Sequence, residues 1–151
     1  MVKKHAGFSL IELMVTIAIL AILCSVGVGL TSAWIQGAKV HEAKTKLIQS
    51  FGMAVAIAQR NATGAALSDA SSVLKLSGQE LIVCSGNPAS CTSGSSAQQW
   101  KATLPNNTSV LIGGAKAGSD QTLSLDNTGA ALSSAGYVIT NGSVSEKGTL
   151  Q

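Results

Sequence analysis

The 151-residue chain has little charge, few aromatic side chains, two prolines and two histidines. Charged residues make up 11% of the sequence and aromatic residues 3%. Both histidines, His5 and His41, come before residue 42, so the rest of the chain has no imidazole for catalysis or metal binding. That part also lacks a Gly-x-Ser-x-Gly sequence, and its acidic residues are scattered. We therefore expect no enzyme activity, no cofactor and no metal.

Most of the net positive charge lies at the N-terminus. The formal net charge is +3, and Lys3 and Lys4 supply two of the three charges. From residue 8 onward, eight Lys or Arg face seven Asp or Glu. Nonspecific binding to nucleic acids depends on clustered cations, so a nucleic-acid partner is not expected.

An apolar run follows the two N-terminal lysines. Residues 13–30 contain no charge, and a helix needs about 20 apolar residues to cross a bilayer. Basic residues ahead of such a run hold that end in the cytoplasm. The sequence therefore predicts a single membrane span with the C-terminal body outside the cytoplasm.

The three cysteines divide into one in the apolar run and two in the body. Cys24 lies among apolar residues, and we give it no chemical role. Cys84 and Cys91 enclose the turn-forming sequence Ser-Gly-Asn-Pro-Ala-Ser, and outside the cytoplasm a disulfide is the expected state. A metal site is the weaker alternative, because both histidines lie far away in the N-terminal arm.

The N-terminal segment has three possible interpretations. It could be a secretory signal peptide cut after Ala33, a plain membrane anchor, or a leader that is cut before an apolar segment which stays in the mature protein. Glu12 favours the third, because a carboxylate at the centre of a membrane helix costs about 2.5–3.5 kcal/mol and calls for a functional partner. Cutting after Gly7 creates that partner, because Phe8 then carries a new α-amino group.

The whole run Gly-Phe-Ser-Leu-Ile-Glu-Leu at residues 7–13 resembles the leader junction of type IV prepilins and type II secretion pseudopilins, a class III signal peptide. The resemblance implies that a prepilin peptidase cleaves between Gly7 and Phe8 and that Phe8 is N-methylated. It also implies that Phe8 and Glu12 are assembly contacts between parallel pilin helices. An inner-membrane assembly platform is a further implied partner.

The remaining sequence predicts an α+β fold. Apolar residues at helical spacing predict a helix from Phe8 or Ser9 to Arg60, with a buried stripe of Val40, Leu47, Phe51, Ala54 and Ala58 widened by Ile48 and Val55. Residues 61–64 predict its end, with Gly64 left-handed. Short strands are predicted at 80–84, 99–104, 109–112, 121–125 and 137–140, with a hairpin turn at Asn141-Gly142. Residues 65–76 are interpreted as a loop with room for short secondary structure.

The predicted organisation has four parts: a leader at 1–7, a transmembrane or filament-core helix at 8–35, the amphipathic half of that helix at 36–60, and a β-rich head at 61–151. We expect the head to be one small antiparallel sheet packed on the amphipathic half. Before assembly the head would lie in the periplasm, and the mature chain would then enter a pilus or pseudopilus.

A looser resemblance covers about sixty residues. The segment 47–60, then Leu-Ile-Val-Cys at 81–84 and Trp-Lys-Ala at 100–102, is similar to minor pilins of the FimT/FimU type and to the H-type pseudopilin of type II secretion. It implies a minor subunit of a type IV pilus that primes assembly or lies at the tip. A type II secretion pseudopilin, or a DNA-uptake or adhesive pilin, is the alternative.

Overall fold

The computed structural model describes residues 7–116 and 118–151, without the side chains of residues 26–30. The chain forms two compact units, Met1–Ile35 and Gln36–Gln151. The fold is α+β, which confirms the predicted class. Its elements are a long helix α1 (Leu10–Arg60), a short 3₁₀ helix (Pro88–Ser90), and the strands β1 (Ser72–Ser77), β2 (Glu80–Ser85), β3 (Gln98–Thr103), β4 (Ser109–Ile112), β5 (Gln121–Leu125), β6 (Gly136–Asn141) and β7 (Val144–Thr149).

The helix begins and ends close to the predicted residues. It starts at Leu10, where the Ser9 carbonyl accepts hydrogen bonds from the backbone N–H groups of Glu12 and Leu13. It ends at Arg60 as predicted, and no proline interrupts it. Asn61 and Gly64 both adopt positive φ, 43° and 67°, and this left-handed backbone stops the helix.

One face of the second half of α1 is buried against the strands. Its buried residues include the predicted stripe and extend it: Val40, Ala43, Leu47, Ser50, Phe51, Ala54, Ile57 and Ala58. The prediction for Ile48 was wrong, because its side chain is 48% exposed. A residue one position beyond Leu47 is rotated about 100° from it, which is enough to leave this narrow buried face.

Four antiparallel strands form the first sheet, in the order β3-β2-β1-β5. One of its two central strands, β1, falls in the segment interpreted from sequence as a loop with room for short secondary structure, where no strand had been predicted. Leu74 and Leu76 belong to the core that contains the buried face of α1, whereas Val73 lies in a separate cluster with Ile82 and the two cysteines. Since both faces of β1 are covered, the strand lacks the alternation of polar and apolar residues that reveals a half-exposed strand.

Three antiparallel strands form a second sheet, in the order β4-β6-β7. The predicted single sheet is therefore corrected to two. The predicted hairpin turn joins β6 and β7, and Gly142 has φ 57°. A Cβ at this glycine would come within 2.6 Å of the Gln36 side chain, so the turn and the helix approach closely only because residue 142 is glycine.

The two sheets are joined by the buried side chain of Gln121. Its Nε2 donates to the Val110 carbonyl at 3.1 Å, and its Oε1 accepts from the Ile112 N–H at 2.6 Å. The side-chain amide of Gln121, on β5, thus forms hydrogen bonds with backbone groups of β4 that a neighbouring strand would otherwise form.

Candidate functional site

The predicted processing site lies just before the helix. Gly7, Phe8 and Ser9 have no regular secondary structure and are exposed. A Cβ built on Gly7 meets nothing within 4 Å, and the Phe8 side chain is 82% exposed. The peptide bond between Gly7 and Phe8 is therefore accessible from the Gly7 side. The rest of the predicted leader, with Lys3 and Lys4, lies outside the described residues.

Glu12 lies in the first turn of α1 and is exposed. The positive end of the helix dipole favours an acidic residue here, so the position is electrostatically favourable even within a single chain. Among the described residues, the Glu12 carboxylate makes no ion pair or hydrogen bond. It lies four positions after Phe8 in the sequence, and both residues belong to the N-terminal unit.

The N-terminal unit exposes a continuous series of apolar side chains. Eleven of them are each more than 50% exposed: Phe8, Leu10, Ile11, Leu13, Met14, Val15, Ile17, Ile19, Leu20, Ile22 and Leu23. An exposed apolar surface of this extent on one helix calls for a covering partner. Across the described residues, no helix has a stretch that is long and apolar enough to cross a membrane. The predicted apolar run at 13–30 ends in residues 26–30, whose side chains are outside the described part of the chain.

The predicted disulfide between Cys84 and Cys91 is present. The Cα–Cα distance is 5.5 Å, and both residues are fully buried. They cluster with Val73 and Ile82 on the face of the first sheet that points away from the helix. The disulfide therefore fixes the short loop between the cysteines over apolar side chains of β1 and β2.

One edge strand of each sheet, β3 in the first and β7 in the second, contacts the helix. Lys44 pairs with Glu146 on β7, and this hydrogen bond and charge raise the pKa of the lysine. Lys46 donates to the Thr103 carbonyl on β3 at 2.7 Å. The sequence offered no signal for these contacts, because the paired residues are 102 and 57 positions apart.

The two aspartates in turn-rich segments of the head serve local contacts. Asp120 pairs with Lys75 at 3.0 Å and accepts from the Ser77 hydroxyl, and these contacts lower its pKa. Asp126 accepts from the Thr128 hydroxyl and from two backbone N–H groups, which lowers its pKa also. Within residues 7–116 and 118–151, no group of three or more His, Cys, Asp or Glu could hold a metal ion.

A shallow groove of about 680 Å³ lies where the helix ends. Its walls come from the segment after the helix, residues 63–65 and 68–70, and from the start of the disulfide loop, residues 86–88. Asp69 is the one acidic residue in its lining, and sequence reasoning did not single it out. Its only sequence signal is an acid within a stretch of small and polar residues.

Comparison with known proteins identifies the N-terminal segment. The family described as the prokaryotic N-terminal methylation motif matches residues 2–28, which include Gly7, Phe8 and Glu12. No curated protein and no solved structure matches the chain. The motif, followed by a long helix and antiparallel sheets, is consistent with a type IV prepilin-like protein. Such a motif implies processing by a prepilin peptidase and assembly with other pilins.

Proposed function

We propose that the chain is a minor pilin-like subunit of a type IV pilus that primes assembly or lies at the tip. The observation that carries this proposal is the methylation motif at residues 2–28, which leads directly into a helix with an uncovered apolar surface. A small head with its disulfide in the middle of the chain supports a minor rather than a major subunit.

The first step is insertion and processing. The precursor spans the inner membrane once, with Lys3 and Lys4 inside and the head in the periplasm. Prepilin peptidase removes residues 1–7 by cutting between Gly7 and Phe8, and Phe8 is then N-methylated. The exposed, non-helical backbone at this junction supports the assignment, because a peptidase needs an extended and accessible segment.

The second step is assembly through the N-terminal helix. Residues 8–35 of parallel subunits pack together in the filament core and cover the apolar side chains that are exposed in one chain. Residues 36–60 carry the head, residues 61–151, on the outside. The assembly platform of the inner membrane extracts each subunit from lipid into the growing filament.

Glu12 sets the register between neighbouring subunits in this proposal. Its carboxylate pairs with the α-amino group of Phe8 in the next subunit, in an environment from which water is excluded. A charge pair there stabilises one axial offset, because any other offset leaves two buried charges without partners. The exposed and unpaired state of Glu12 in a single chain supports this role.

The test is a Glu12→Ala variant, for which we expect normal insertion and processing but at least about tenfold less protein in the filament fraction. The measurement is immunoblotting of sheared filaments and membranes, normalised to total protein. Glu42→Ala is the matched control, because Glu42 is an acid on the same helix whose ion pair, within the part of the chain that the structure describes, is with Lys46. Equal incorporation of both variants would contradict the proposed pairing.

A further inference from the structure

The uncharged stretch that contains the apolar run is longer than the core of a bilayer. No charged residue occurs between Glu12 and Lys39, so residues 13–38 form 26 uncharged positions. As part of α1 they measure about 39 Å, whereas the hydrocarbon core of a bilayer is about 30 Å thick. The charges therefore leave the depth of the helix undetermined by about 9 Å, and another feature must set it.

Trp34 lies near the C-terminal end of this stretch. Its side chain is 75% exposed, and that of Ile35 beside it is 44% exposed. Tryptophan favours the interface between a bilayer and water, because its ring is apolar while its indole N–H donates a hydrogen bond to headgroups or water. The other tryptophan of the sequence, Trp100, is half-buried on β3. Trp34 is therefore the residue of this stretch with the strongest preference for the interface.

The folded head begins two positions after Trp34. Gln36 is the first residue of the second unit, and its Oε1 accepts from the Ser143 N–H at 3.1 Å and from the Ser143 hydroxyl at 3.2 Å. Gly142 and Ser143 form an exposed turn around this side chain. An exposed turn with polar backbone groups does not enter hydrocarbon. The hydrocarbon core of the membrane therefore ends before residue 36.

We propose that Trp34 lies in the headgroup layer on the periplasmic side of the inner membrane and sets the depth of the helix in the stored subunit. The partner is the lipid interface itself. About 20 residues fill the core, so residues 14–33 span it. Cys24, ten positions before Trp34, then lies about 15 Å from the interface, at the centre of the bilayer. The inference rests on the proposed function, which supplies the membrane.

Glu12 then lies outside the hydrocarbon core, on its cytoplasmic side. It precedes Trp34 by 22 positions, about 33 Å along a helix, which exceeds the thickness of the core. The exposed carboxylate stays hydrated while the subunit is stored, so it avoids the cost of a charge within lipid. Gly7 and Phe8 precede Glu12 and are presented on the same side. Water leaves the Glu12 carboxylate only when the helix enters the filament.

Depth-dependent quenching tests the position of Trp34. The full-length Trp100→Phe precursor, whose single tryptophan is Trp34, is reconstituted into vesicles of phosphatidylethanolamine and phosphatidylglycerol. The acyl chains carry bromine either close to the headgroup or close to the chain end. We expect the shallow bromine to quench Trp34 at least about twofold more than the deep bromine. Cys24→Trp combined with Trp34→Phe and Trp100→Phe is the matched control, and the deep bromine should quench it more.

Thiol labelling tests the position of Glu12. In inverted inner-membrane vesicles, the cytoplasmic surface is open to a charged maleimide that does not cross the bilayer. Glu12→Cys in a Cys24→Ser background should react at least about tenfold faster than wild type, in which Cys24 is the free thiol, because a thiol in hydrocarbon does not ionise. Cys84 and Cys91 are joined to each other and buried, so they do not react.

The outcomes separate this placement from the proposed function. The placement is overturned if the deep bromine quenches Trp34 as strongly as the shallow one, if neither quenches it, or if Glu12→Cys reacts no faster than Cys24. Storage in the membrane still stands in each case if the deep bromine quenches Cys24→Trp. Quenching of neither tryptophan by either bromine would overturn membrane storage as well.

Discussion

At the scale of single residues, Gln121 links the two sheets of the head through its side chain. It is buried, and its amide pairs with the backbone of Val110 and Ile112. A buried polar group without a hydrogen-bond partner costs about 1–3 kcal/mol. The two sheets are therefore held together by a side chain whose loss would leave two backbone groups unpaired.

We predict that Gln121→Leu lowers the free energy of unfolding by about 2–4 kcal/mol, because it removes both hydrogen bonds from β4. Urea unfolding of the purified protein, followed by tryptophan fluorescence, measures the change. Gln99→Leu is the control, because Gln99 is exposed on β3. A Gln121→Leu variant as stable as Gln99→Leu would show that the bridge between the sheets contributes little.

The N-terminal motif can be recognised without any knowledge of the fold. Gly7, Phe8 and Glu12 lie within six positions, and their meaning depends on order and spacing rather than on tertiary contacts. That is why the candidate processing site could be predicted from the sequence alone.

At the scale of elements, the disulfide loop forms the outer cover of the first sheet. Cys84 lies in β2, and Cys91 follows the short 3₁₀ helix that Asn87 caps by accepting from the Ala89 N–H. With Val73 and Ile82, the two cysteines form a small apolar cluster. The disulfide thus closes a short loop and excludes water from this face of the sheet.

We predict that the double variant Cys84→Ser, Cys91→Ser loses about 2–3 kcal/mol of stability, because the unfolded chain is no longer cross-linked. Urea unfolding measures this loss, and limited proteolysis should cut the loop at 86–90 faster than in wild type. Cys24→Ser is the control and should change neither property. If both variants unfold at the same urea concentration, the disulfide does not stabilise the head.

Elements were predictable where one face is buried and the other is exposed. The helix, the β6–β7 hairpin and most strands have that pattern or a clear turn signal. No strand was predicted at β1 because Ser72, Lys75 and Ser77 interrupt its apolar residues. The split into two sheets was missed because it depends on which strands pair over long sequence separations, and no local pattern encodes that pairing.

At the scale of the whole molecule, the chain combines two units that differ in how their apolar side chains are covered. The Met1–Ile35 unit exposes an apolar helix surface, whereas the Gln36–Gln151 unit has its own buried core. The first needs a lipid or protein environment to cover it, and the second does not. The proposed role, in which the subunit is stored in a membrane and then assembled through its helix, accounts for both properties.

The processing step is the central claim, and mass spectrometry of the protein from its native membrane fraction tests it most directly. We predict a mature chain that begins at N-methylated Phe8. A Gly7→Leu variant should keep its leader, because the added side chain blocks close approach of the peptidase to the backbone, whereas Ser9→Ala should be processed normally. A wild-type chain that begins at Met1, or one that begins at Trp34 after removal of the apolar run, would contradict the account.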